Sequence, residues 1–107
     1  MSTFNRVQKV LSELQKIENS ARSLRLKLRS VAELLDKEWR ISSYFCEIKG
    51  PRWSYYAGDV DFVMPLYRIQ LTDKYGLMTD QILIPADDWE AMLALIRRII
   101  ENTKEVV

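Results

Sequence analysis

Asp59 and Asp61 are the residues of this chain whose spacing comes closest to metal chemistry. In an extended segment they would share one side, because strand side chains alternate. Paired carboxylates can hold Mg²⁺. The sequence places no third ligand and no lysine beside them, so they read as turn residues. Glu47 and Lys49 have the E-x-K spacing of some metal nucleases, but no acidic motif precedes them in the order such a site needs. Cys46 is the single cysteine, and the chain contains no histidine. That excludes Ser-His-Asp and Cys-His catalysis and any histidine metal ligand. It leaves Cys46 without an activating base, as a buried strand residue. One cysteine supplies neither a zinc site nor an intrachain disulfide. No catalytic residue, metal or cofactor is expected, and the chain reads as a non-enzyme.

Binding chemistry is better represented. Eight of the eleven aromatic residues fall between Trp39 and Tyr67. Arg52, Trp53, Tyr55 and Tyr56 crowd one connection bounded by Gly50-Pro51 and Gly58. Arg, Trp and Tyr dominate binding hot spots, so these four are expected to contact a macromolecular partner, with Trp53 as anchor. The competing role for Trp53 is to fold back over a sheet. A second candidate surface is basic: Arg22, Arg25, Lys27 and Arg29 follow one another without an intervening acid. Arg22, Arg25 and Arg29 could track phosphates, although a solvated helix flank is the commoner use of such a run. Residues 1–40 carry nine basic and five acidic side chains, and the whole chain is net +1. This mild asymmetry gives no global pull toward nucleic acid.

The elements that must position these groups begin with a helix. Val7, Val10, Leu14, Ile17, Ala21, Leu24, Leu28, Val31 and Leu35 alternate at spacings of three and four, which is a heptad a/d seam. No Gly or Pro occurs before Gly50. A single helix over residues 1–38 would be roughly 50 Å long, whereas a domain of this size has a radius of gyration near 13 Å. An overhanging apolar seam predicts a second copy of the chain. Flanking charges favour an antiparallel pair: a crossing between Ala21 and Leu24 sets Glu18 against Arg25 of the other copy, Leu11 against Ala32 and Phe4 against Trp39, with Lys27 near Glu13. A parallel pair sets Glu13 against Glu18 twice. Asn19, Ser20 and Ser23 are weaker helix formers, so a bend near them is compatible with the pattern.

Residues 41–49 favour a strand. Residues 52–59 read as a long connection or a short irregular strand. Residues 62–72 and 77–85 flank the turn Asp73-Lys74-Tyr75-Gly76, pairing Thr72 with Leu77, Leu71 with Met78 and Leu66 with Leu83. In that register Asp80 faces Ile69, a misfit that a bulge or shift would remove. The final helix has Asp87 and Glu90 at capping-box spacing, with Trp89, Met92, Leu93, Leu95, Ile96, Ile99 and Ile100 on one arc. The expected architecture is one α+β domain over residues 1–107. It has a long dimerisation helix (1–38) and a β-β-β-α unit (39–107), in which a three-stranded antiparallel sheet carries the last helix.

This α-β-β-β-α order with a long first helix, and the Pro85-Ala86-Asp87-Asp88 entry to the last one, resembles the YbaB-type nucleoid-associated proteins, small dimers that bind DNA. The glycine-rich strands of that family are missing here, and no residue roles carry over. The resemblance implies DNA binding as the second reading. The first is a homodimeric interaction or adaptor protein with a macromolecular partner, protein rather than nucleic acid. No apolar run approaches the roughly 20 residues of a membrane span, and the opening residues lack the pattern of a secretory signal. A cytoplasmic protein is expected.

Overall fold

In a computed structural model, residues 3–59, 65, 67–82 and 84–103 are described, with side chains from residue 5 onward. Among these described residues seven elements follow in the order α1 (Thr3–Asn19), α2 (Leu24–Trp39), β1 (Ser43–Lys49), β2 (Arg52–Gly58), β3 (Tyr67–Gln70), β4 (Tyr75–Thr79) and α3 (Ala86–Asn102). The fold is α+β, with three helices packed on a four-stranded antiparallel sheet.

The expected single helix over 1–38 is two helices. Ser20 ends the first by turning its hydroxyl onto the Ile17 carbonyl at 2.8 Å. Ser23 starts the second in extended conformation and accepts the Leu26 N–H at 3.3 Å. Serine favours both acts because its hydroxyl competes with helical backbone partners. The chain then folds back, and Lys9 meets Glu38 at 3.1 Å. The long axis of the molecule is 42 Å and its radius of gyration 13.2 Å. Val7, Val10, Leu14, Leu24, Leu28, Val31 and Leu35 are buried within the one chain, Ile17 is partly buried and Ala21 is exposed. The seam, from which the sequence predicts a second copy, packs in one core with residues of α3 and the sheet.

The three-strand expectation is also corrected. Residues 52–58 form a full strand, and the spatial order is β2-β1-β4-β3. The β1–β2 turn leaves Gly50 at φ 60°, a conformation glycine adopts without steric penalty. The β3–β4 register is displaced from the expected one: Ile69 pairs with Leu77 and Gln70 with Gly76. Thr72 closes the turn instead, its hydroxyl accepting the N–H groups of Lys74 and Tyr75. Tyr75 and Gly76 therefore belong to β4. The displacement removes the Asp80 misfit. Asp80 lies past the strand, where its carboxylate accepts the Ser42 N–H at 3.0 Å and its own N–H donates to the Ser42 carbonyl. The expected Leu66–Leu83 pairing lies outside the described residues.

One sheet face carries Phe45, Ala57, Tyr75 and Leu77 into a core shared with Val10, Leu28, Val31, Met92, Ile96 and Ile99. The apolar arc of α3 is buried as its spacing predicts, with Leu95 at the margin. Its N-cap is Pro85 without a side-chain bond, so no capping box forms. Asp87 and Asp88 instead complement the positive end of the helix dipole from the first turn. Lys27, expected on a solvated flank, is 5% exposed. Its ammonium donates to the Glu18 carbonyl at 2.9 Å and the Thr103 hydroxyl at 3.0 Å. It thereby sits where α1 and α3 both end, at the negative poles of two helices.

Candidate binding groove

The open sheet face and the β2 edge are built by one irregularity. The β1–β2 register shifts between Phe45 and Cys46, so Cys46 faces Tyr55 while Phe45 faces Ala57. Tyr56 is the extra residue of this bulge. It joins Ala57 on the helix side, and Tyr55 is left on the other face. Tyr56 packs edge-on against Tyr75, with centroids 5.1 Å apart. Arg25 of α2 lies over the Tyr56 ring, its guanidinium carbon 4.5 Å from the centroid, and its Nε donates to the Tyr56 carbonyl at 3.1 Å. Tyr55 tilts against Tyr44 at 5.9 Å, and its hydroxyl donates to the Gly58 carbonyl at 2.8 Å.

Two carbonyls of an edge strand are thus occupied by side chains of the same chain, which blunts strand-by-strand addition there. What remains beside them is an open groove of about 480 Å³ between α2 and β2, lined by Arg25, Leu26, Arg29, Tyr55, Tyr56 and Gly58. Leu26 is 47% exposed and Tyr55 52%. Glu47 closes one end. At the other end Arg29 continues into a hollow of about 240 Å³ with Glu33, Asp36 and Asp59. Arg29 pairs with Glu33 at 3.3 Å.

The two candidate surfaces of the sequence therefore meet: Arg25 and Arg29 from the basic run, Tyr55 and Tyr56 from the aromatic run. Arg22 stands apart, donating to Ser30 Oγ at 3.1 Å. Arg52 is exposed at the start of β2. Trp53 is half-buried on the open sheet face, with its ring against Gly76 of β4 and the Arg68 guanidinium 4.3 Å from its centroid. Its ring is thus engaged by two other strands of the sheet. Leu26 is the groove residue that sequence reasoning missed. It falls between the seam positions Leu24 and Leu28, and its place off the seam was the available signal.

Among the described residues no cluster of three or more acidic or cysteine side chains could hold a metal. Asp61, half of the Asp59–Asp61 pair, lies outside the described residues. Cys46 is buried, and burial raises its thiol pKa against the opposing charge of Arg68. No described helix is long and apolar enough to cross a membrane. No protein family, curated protein or solved structure matches the chain. The observed order α-α-β-β-β-β-α also differs from the α-β-β-β-α order on which the nucleoid-protein resemblance rests.

Proposed function

We propose that this chain is a small non-catalytic interaction module that binds a segment of another protein in the groove between α2 and β2. The observation that carries the reading is the company kept by two exposed apolar side chains. Leu26 and Tyr55 are two of the three large hydrophobic residues exposed among the described residues, and both line this groove beside two guanidiniums. Such a surface suits a segment presenting an acidic side chain next to an aliphatic or aromatic one. Arg25 is already positioned on Tyr56, so little side-chain entropy is lost when it pairs with a carboxylate.

Nucleic acid is the second reading, and the charge pattern weighs against it. A phosphate backbone following Arg25 and Arg29 would meet Glu33, Asp59 and Glu47 at the two ends of the groove. Lys27 is buried. A cytoplasmic setting belongs to the same proposal, since a chain with one cysteine gains no internal disulfide from an oxidising compartment.

The test is affinity capture from the native host with wild type, Leu26→Asp and Tyr55→Ala side by side, with nucleic acid analysed alongside protein. The proposal expects a protein retained by wild type and lost by both variants, while all three melt cooperatively. Retention of DNA or RNA with a steep loss of affinity as salt rises would replace it with the second reading.

A further inference from the structure

The heptad seam does not stop at the turn. Ile17, Ala21 and Leu24 continue its three-and-four spacing straight through Ser20–Ser23, where the structure has no helix. A turn needs no such phase. The turn residues Ser20, Ala21, Arg22 and Ser23 include no glycine or proline, and each is compatible with a helix interior. Ala21, a seam position, is exposed in the folded-back chain.

The folded-back pair α1–α2 is antiparallel, with its midpoint at the turn. An antiparallel pair of straight helices crossing between Ala21 and Leu24 presents the same faces to each other. Where the closed chain sets Lys9 of α1 against its own Glu38, two straightened chains set Lys9 of one against Glu38 of the other. The contacts of α1 with α3 transfer in the same way, including the bidentate pair of Arg98 with Glu18 at 2.7 and 2.9 Å.

We propose that Ser20–Ser23 is a hinge, and that the chain forms a domain-swapped dimer in which α1 and α2 become one helix and α1 of each copy packs on α2 and α3 of the other. This exchange is independent of the groove reading, because Arg25, Leu26 and Arg29 lie off the seam. Only local interactions separate the two forms. The closed form has the Ser20 hydroxyl on Ile17, the Ser23 cap on Leu26 and the Lys27 ammonium on the Glu18 carbonyl. The open form adds helical hydrogen bonds across four residues and covers Ala21. Swapping of this kind makes dimers at low cost because the packed interface is reused.

The experiment follows the turn. Ser20→Ala with Ser23→Ala removes two closed-form bonds and raises helix propensity. It should increase the dimerisation constant at least about tenfold, equivalent to about 1.4 kcal/mol, in sedimentation equilibrium after refolding. Inserting Gly-Gly after Ala21 relieves the short hinge and should hold the chain monomeric. Connectivity is read separately. On a Cys46→Ala background, chains carrying Lys9→Cys are refolded with chains carrying Glu38→Cys. The swap predicts that a short bis-maleimide links residue 9 of one chain to residue 38 of the other in the dimer fraction, at a spacing that the Lys9–Glu38 ion pair already spans. A double-serine variant that refolds to monomer at about 200 µM overturns the proposal. So does a dimer that forms no 9–38 crosslink between chains, since its copies would meet through another surface.

Discussion

The indole of Trp53 lies against Gly76, two strands away in the sheet. A Cβ on Gly76 would overlap the six-membered ring. To reach it from β2 the side chain crosses β1 beside Cys46, and Arg68 of β3 covers the ring from the far edge. One residue thus ties all four strands together on the face that carries no helix among the described residues. Gly76 is needed here for its missing side chain.

Trp53→Ala should lower stability by about 3 kcal/mol and make Cys46 react with a thiol reagent under native conditions, where the wild-type thiol is covered and held protonated by burial. Gly76→Val should be at least as damaging. Urea denaturation with a thiol-labelling time course checks both. An unreactive Cys46 in Trp53→Ala would show that the ring is not its cover.

Stability should fall on the acid side partly through Glu18. Its carboxylate is held below the ordinary value of 4.5, chiefly by the Arg98 hydrogen bond, with burial opposing and Asn102 adding to it. A depressed folded pKa contributes stability above the unfolded value, lost as pH falls through the folded one. The urea-midpoint difference between wild type and Arg98→Gln should therefore be full at neutral pH and shrink below pH 4.5. A difference constant down to pH 3 would assign Arg98 a packing role only.

Arg40 ends α2 in the left-handed conformation, φ 56° and ψ 33°, with its N–H on the Asp36 carbonyl. Glycine takes this position without Cβ strain. Arg40→Gly should stabilise the fold by about 0.5–1 kcal/mol, read as a higher melting temperature. The bond from Gln81 to the Arg40 carbonyl survives, because it uses backbone.

Ser43 and Thr79 face each other across β1 and β4, and both hydroxyls are buried without a partner. Unpaired buried hydroxyls are unfavourable. Thr79→Val removes one with little change of shape and should leave stability unchanged or raise it by about 1 kcal/mol. A loss above that would reveal a hydrogen bond formed in solution.

The residues of the α3 arc, the α1 and α2 seam and the strand over 43–49 follow from side-chain spacing, because a helix or strand face is set by local geometry. The same seam pattern is satisfied by one long helix or by two packed back on each other. Spacing therefore cannot place the break, and the serine bonds at Ser20 and Ser23 together with the sheet beneath α2 decided it. Residues 52–58 show why the strand count escaped prediction. Their strand is held by pairing with β1 across the Gly50-Pro51 turn, and without that pairing in view a run dense in aromatics and bounded by glycines resembles a loop. The bulge that sends Tyr56 to Arg25 and leaves Tyr55 outside is likewise a property of two strands and not of either alone. The types of residue in the groove were legible at once. Their meeting was not, since Arg25 and Tyr56 are joined only when α2 lies down on the edge of the sheet.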